Sequence, residues 1–327
     1  MKSGLFLLVV LAVLGIALPA VAQTADPPRF LLESIVVEGV QRDAVREIVA
    51  AESLLQPGRE YSEQELREAV YRVKRLPFVM DAEFSLRKGG ERGSYQLVIT
   101  VEETRLLFYS VDVFGSYFRD DPFRQHEHAS WDAGATAGGR WFVGSQGMVF
   151  GSVQGVDGAG ATAAQAGYTR YNLFGRGGFA SLVLGTDVGD NDDRLDVHQG
   201  SFTLGVPIVG NHSLRADVDW TRSDENFLGT RFRNDQKSVG LSWIYDTTDD
   251  PLFPTSGTRL SGGGNISRLE QEVSDRLFRS ELSQDSYVVD FGGSRYWALT
   301  HRQSISATLG SSYFWTEPVG DLGIRRV

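Results

Sequence analysis

Three short stretches carry residue types capable of chemistry. His126-Glu127-His128 puts two imidazoles and a carboxylate within reach of one transition metal, and Asp187, Asp190, Asp192, Asp193 and Asp196 crowd carboxylates of the kind that hold Ca²⁺ into one expected loop. Gly158-x-Gly160-x-x-Ala163 fits a relaxed dinucleotide fingerprint. None of the three extends into a site. The His pair alternates along a strand or loop with no further cluster nearby, the Asp spacing is not that of an EF-hand, and Asp157-Gly158 is equally a hairpin turn with no helical pattern after it. No G-x-S-x-G elbow, Walker A loop or H-E-x-x-H stretch occurs. The 327 residues contain no Cys, which removes thiol catalysis, thiolate metal sites and disulfide frameworks together. The expectation is a protein that is not an enzyme, with no catalytic residue, no cofactor and no metal.

With chemistry set aside, the elements that would present a binding surface become the question. Thirty-two Lys and Arg against 42 Asp and Glu give a net charge of −10, and no basic stripe is present, so a nucleic-acid partner is not expected. Lys2 precedes an apolar run from Leu5 to Leu18, then Pro19 and Ala20-Val21-Ala22. That run is about 14 residues, short of the roughly 20 a membrane helix needs, and it reads as a secretory signal peptide over residues 1–22.

After a linker at residues 23–29, residues 30–103 read as a small α+β domain. Ile35-Val36-Val37 is a short strand closed by Gly39, and residues 44–55 read as a helix stopped by Gln56-Pro57-Gly58. Ser62 with Glu65 has capping-box spacing, and Leu66, Val70, Val73 and Leu76 form one apolar stripe up to Pro77. Ala82, Phe84 and Leu86, then Tyr95, Leu97, Ile99 and Val101, alternate with polar residues across a Gly-rich turn. The expected order is β-α-α-β-β.

Residues 104–327 shift to Gly, Ser, Thr, Asp and aromatics, with alternation recurring in segments of about ten residues, the length of a transmembrane β-strand. Leu214, Ala216, Val218 and Trp220 would face lipid, and Arg215, Asp217, Asp219 and Thr221 water. Trp220, Tyr245, Trp297, Tyr313 and Trp315 fall near segment ends, as a girdle at the headgroups requires. Eleven strands are expected, near 106–116, 131–142, 146–156, 162–171, 178–188, 195–206, 212–223, 236–246, 257–268, 284–297 and 303–315. The last residues, Gly323-Ile324-Arg325-Arg326-Val327, read as a loop. An open edge in hydrocarbon is costly, so the reading expects an incomplete barrel whose polypeptide continues beyond Val327.

Three patterns give this a family likeness. Asp246 to Arg259, with Asp250, Phe253, Pro254, Thr255, Gly257 and Arg259 in a D-x-x-x-x-x-F-P-T-x-G-x-R frame, resembles a turn of the BamA/TamA-like outer-membrane assembly family, the bacterial surface antigen barrel. Asn172-Leu173-Phe174-Gly175 is similar to that family's N-L-F-G-x-G hairpin, and Ile35-x-Val37-x-Gly39 with Leu76-Pro77-Phe78-Val79 resembles a POTRA domain. The family's V/I-R-G-F/Y motif is absent, and a single POTRA-like region points to a specialised relative. The likeness implies a barrel in the bacterial outer membrane, in contact with its lipids, and a POTRA domain in the periplasm that receives unfolded outer-membrane or secreted clients, with periplasmic accessory proteins as further partners. It implies client capture by pairing on the edge strand of the POTRA sheet, here Met80, Asp81, Ala82, Glu83, Phe84 and Ser85. It also allows a pore that secretes one dedicated partner protein, or an anchor domain for a secreted lipolytic enzyme.

Overall fold

A computed structural model describes residues 28–327 apart from 120–126, 157–160, 176, 190–194, 228, 252, 276–277, 301–302, 319–322 and 327. The expected signal peptide, the dinucleotide-like glycines, the side chains of His126-Glu127-His128 and most of the Asp-rich loop lie outside the described residues.

The small domain runs β1 (Arg29–Glu38), α1 (Asp43–Glu52), β2 (Glu60–Ser62), α2 (Glu63–Lys74), β3 (Val79–Lys88) and β4 (Ser94–Glu103). Its sheet has the order β2-β1-β4-β3, with β1 and β4 parallel and the other pairs antiparallel. The short β2 is an addition to the order read from sequence, since three residues are too few to show a period. Ser62 caps α2 as its spacing foretold: its hydroxyl accepts from the Glu65 backbone N–H, and the Glu65 carboxylate accepts from the Ser62 N–H. The apolar stripes of both helices bury Val45, Ile48, Val49, Leu66 and Val73 against Leu32, Leu97 and Ile99 of the sheet and Phe78 just before β3. A positive φ of 82° at Gly39 ends β1, and a Cβ there would lie 2.3 Å from the Val101 carbonyl oxygen, so that turn admits only glycine.

Three residues separate β4 from a second sheet of β5 (Leu107–Arg119), β6 (Glu127–Val143), β7 (Gly147–Val156), β8 (Ala161–Leu173), β9 (Gly178–Gly189), β10 (Leu195–Val209), β11 (His212–Phe227), β12 (Thr230–Asp246), β13 (Gly257–Ser274), β14 (Phe278–Thr300) and β15 (Gln303–Pro318). All neighbours are antiparallel in chain order, and β5 and β15 are the two edges. Gly323–Arg326, read from sequence as a loop, is instead a short strand, β16, paired with Phe278–Glu281 of β14. It lies on the same side of β14 as β15 and in the same sense, so it prolongs the edge rather than adding a twelfth position.

One register runs through this sheet. Trp141, Val149, Tyr168, Leu182, Phe202, Val218, Val239, Ile266, Tyr287 and Trp315 stand opposite one another in an unbroken row across ten strands. Period-2 alternation puts every residue of that row on one face. Behind it a second row, Thr169, Ser181, Thr203, Asp217, Gly240 and Asn265, is polar or small. On β12 the apolar face runs from Tyr245 through Trp243 and Leu241 to Val239, roughly 20 Å of strand, close to the ~25 Å band of an outer-membrane barrel. Lys237, Asp235, Arg233 and Arg231 follow on the same face. They mark the level where the strands enter water, and ion pairs tie them there: Arg233 and Arg231 reach Asp224 at 2.9 and 3.0 Å, and Arg268 holds Asp285 at 2.8 Å. The strands are longer than the sequence pattern suggested because alternation of charged with polar residues leaves no hydropathy signal. Among the described residues no helix is long and apolar enough to cross a membrane.

This two-faced sheet makes a direct prediction. Leu241→Arg, in the middle of the apolar face, should cost about 2–4 kcal/mol of folding stability in bilayers, while Ser242→Arg on the opposite face should cost less than about 1 kcal/mol. Urea titration of the protein folded into vesicles measures both.

Candidate functional site

One edge of the small domain's sheet is the three-residue β2 and the other is β3, whose only strand partner among the described residues is β4. Its backbone groups on the other side have no strand to bond. Ala82, Phe84 and Leu86 turn toward α2, while Glu83, Ser85 and Arg87 are exposed on the opposite face. At Met80 the register shifts by one residue, and the bulge leaves that side chain 63% exposed. A groove of about 550 Å³ lies between β3 and α2. Phe30, Val70, Phe84 and Leu86 give it an apolar floor, and two ion pairs, Arg67 with Glu63 and Lys74 with Asp81 at 2.6 Å, form its rim. The Lys74 ammonium holds the Asp81 carboxyl below its ordinary range, with a further contribution from the Ala82 backbone N–H. All six residues of the expected edge site therefore lie on a strand with a free edge beside an apolar groove.

The two motif turns lie at the other end of the small domain, against the sheet. In the turn from β12 to β13, Asp249 accepts from the Thr255 N–H at 2.9 Å, the Thr255 hydroxyl at 2.5 Å and the Ser256 N–H at 3.0 Å. These donors, the largest being the Thr255 hydroxyl, outweigh burial and hold its carboxyl low. Asp250 accepts from the Phe253 N–H at 2.7 Å. Gly257 has φ +108°, and a Cβ there would lie 2.4 Å from the Thr247 carbonyl oxygen. Pro254, Thr255 and Gly257 thus set a turn, and Arg259 reaches back to Asp246 at 2.9 Å. In the turn from β8 to β9, Asn172 and Phe174 take positive φ of 53° and 59°, Gly175 follows at 66°, and Leu173 makes the last pair of β8, with Gly178. Phe174 and Phe253 stand 82% and 81% exposed at the two tips.

Between these turns the small domain is seated by a cluster that sequence reasoning missed. Arg75 donates to Asp246 at 3.1 Å and to the Thr248 carbonyl at 3.0 Å. Arg72 donates to Asn211 at 3.0 Å and to the Ser53 carbonyl at 2.7 Å, and Asn211 in turn donates to Glu68 at 2.8 Å. Phe78 packs edge-on against Phe142 and Tyr171, with ring centroids 5.0 and 5.6 Å apart, and Arg140 donates to the Pro77 carbonyl. The cores of the two parts are continuous through Met148 and Tyr171. Arg72 and Arg75, spaced by three on the last turn of α2, were the available signal, but in the sequence they look like ordinary helix C-terminal cations.

Residues 165–320 match the family described as the Omp85 superfamily domain. This chain carries an Omp85 domain. No curated protein matches the sequence. Among solved structures, the chain is similar to BamA from Haemophilus ducreyi lacking POTRA domains 1–3, at 15% identity and a TM-score of 0.43, over 86% of this chain and 56% of that one. It is also similar to CdiB from Acinetobacter baumannii, at 8% identity and a TM-score of 0.39, over 88% of this chain and 74% of that one. The chain thus spans little more than half of the BamA structure it matches. The Omp85 domain begins within β8 and ends past β15, so both Asp246 and Arg259 lie inside it while their partner Arg75 lies outside.

Glycine geometry in the Omp85 domain and in the small domain is testable side by side. Gly257→Ala should lower stability by about 1–3 kcal/mol, because a strained φ coincides with a backbone clash. Gly58→Ala, at φ +83° with nothing within 4 Å, should cost only about 1 kcal/mol. Equilibrium unfolding of both variants checks the order.

Proposed function

We propose that this protein sits in the bacterial outer membrane with its small domain, a POTRA domain, in the periplasm, and that it assembles or translocates other proteins there. The observation that carries this reading is the free edge of β3 beside an apolar groove, with β3 paired at Val79 to Glu103, the last residue of β4, and β4 only three residues of linker away from the edge strand of the large sheet. Glu103 ends β4 and Leu107 begins β5, so the two points lie within about 15 Å of each other. An unfolded client strand adding to β3 would gain main-chain hydrogen bonds without needing one particular sequence, and its alternate apolar residues would settle on Phe84 and Leu86.

Physics gives such a transfer a direction. A backbone hydrogen bond formed in water has a net worth of only about 0.5–1.5 kcal/mol, because water competes for both partners. In hydrocarbon the alternative is an unpaired group costing several kcal/mol. A strand held weakly at β3 therefore moves downhill when it pairs with the β5 edge, and no chemical step or energy source is required. Outer-membrane lipids cover the apolar face in this account, and periplasmic accessory proteins have the exposed Phe174 and Phe253 available to them. The polar face of the sheet supports a second reading. Arg215, Asp217 and Asp219 line it, with Arg215 bonded to Asp217 at 2.9 Å and Ser238 to Asp219 at 3.2 Å, and a water-filled lumen with such a wall suits a pore that secretes one partner protein.

Photo-crosslinkable residues separate the two. At Ser85 and Tyr109 of the full chain in membranes, the assembly reading expects newly made outer-membrane clients trapped first at Ser85 and later at Tyr109, with none at Glu60 on β2. Trapping only at the Asp217 and Asp219 positions, by one secreted protein, would replace it with the pore.

A further inference from the structure

Past the apolar band, the face that meets lipid carries charge, and the charge is unevenly shared. Arg222 and Asp224 on β11 and Arg231 and Arg233 on β12 continue the side-chain alternation of Val218 and Val239. Three guanidiniums converge there on one carboxylate: Asp224 lies 2.9 Å from Arg233, 3.0 Å from Arg231 and 3.6 Å from Arg222. One negative charge against three positive ones leaves two positive charges unbalanced within the cluster. Two neighbouring acids are held by other cations. Glu272, opposite Arg233 on β13, is bound by Arg279 at 3.1 Å, and Asp235, opposite Arg222, by Lys237 at 3.3 Å. Asp196 of β10 stands opposite Asp224, one strand farther from Arg231 and Arg233, and has an interaction of its own. All three arginines keep part of their side chains accessible, Arg231 about half.

We propose that this cluster binds the phosphorylated sugar headgroup of an outer-leaflet glycolipid whose acyl chains lie on the apolar face beside it.

Charge and height both point to that class of lipid. The guanidinium fork matches phosphate oxygens, and a phosphate monoester carries about −1.5 to −2 at neutral pH, close to the excess in the cluster. The phosphodiester of an ordinary phospholipid carries only a single negative charge. Trp220 and Lys237 stand opposite one another where the apolar face ends. Arg222 follows about 7 Å along its strand and Arg233 about 13 Å along its own. With strands tilted by ~40° those positions are about 5 and 10 Å above the hydrocarbon. The headgroup layer of an ordinary bilayer is roughly 5–7 Å deep on each side. A phospholipid phosphate therefore reaches the level of Arg222 alone, whereas a headgroup built of sugars extends to all three arginines. The inference rests on the periplasmic placement of the small domain, which puts this end of the strands in the outer leaflet.

The test uses the full chain in phosphatidylcholine nanodiscs doped with one lipid at a time, with native mass spectrometry reading which lipid stays bound. Lipid A bearing both phosphates should be retained about tenfold better than its dephosphorylated form, and about tenfold better than phosphatidylglycerol. This comparison needs no variant. Arg231→Gln combined with Arg233→Gln should remove the preference, and Arg46→Gln on the small domain should leave it intact. Equal retention of the three lipids overturns the site, as does a preference that survives the double substitution. Displacement of lipid A by millimolar inorganic phosphate overturns it in favour of a soluble anion. Placement is read separately. The chain has no Cys, so Asn226→Cys at the exposed end of β11 gives a unique thiol. An impermeant maleimide should label it on intact cells. Absence of labelling overturns the periplasmic placement and the outer-leaflet ligand with it, whereas labelling without lipid selectivity overturns the glycolipid site alone.

Discussion

A backbone N–H or C=O placed in hydrocarbon has no water to bond, and each one left unpaired costs several kcal/mol. That cost orders the large sheet. From β6 to β14 every strand is paired on both sides over most of its length, and the register is uninterrupted except for single irregularities at Tyr171, Pro207 and Ala298, all near the end where the small domain sits. Because the side-chain period is two, a slip by one residue would turn Val218, Val239 and Ile266 onto the polar face and Asp217 and Asn265 onto the apolar one. Satisfying the backbone and sorting the side chains are thus one requirement, met by a single register. The same requirement makes the free sides of β3 and β5 notable. The first is in a position to be wetted, where an unpaired edge is cheap, and the second belongs to a sheet whose apolar face demands lipid.

The seam between the two parts follows different rules. It brings aromatic rings, two half-buried arginines and the buried Asp246 carboxylate together, and buried charge is tolerated only where partners are placed well. Asp246 meets this fully, accepting from Arg75, Arg259 and both donors of Thr248.

Much of this was legible in the sequence, and for identifiable reasons. Alternation at Leu214 to Thr221 put the right residues on each face, and the eleven expected strands correspond one for one to β5 through β15. The Ser62 and Glu65 spacing placed the start of α2, and the F-P-T-x-G-x-R frame marked a turn whose glycine has no substitute. What sequence could not show depends on distance along the chain. Arg72 finds Asn211 and Arg75 finds Asp246 across 139 and 171 residues. Nothing local distinguishes those arginines from surface cations. The outer halves of β12 to β14 escaped notice because Arg231, Arg233, Glu270 and Glu272 alternate charge with polarity rather than apolar with polar residues.

The central claim is that one face of the sheet meets lipid up to a sharp level and water beyond it. A spin-label scan of residues 231–246 on β12 in lipid bilayers, reading collision with oxygen and with a water-soluble nickel complex, tests this directly. The account predicts period-2 oscillation, with oxygen highest at Val239, Leu241 and Trp243, nickel highest at Gly240 and Ser242, and oxygen access collapsing from Lys237 outward. Oscillation of the opposite phase, or uniform access to the nickel complex along the strand, would contradict it.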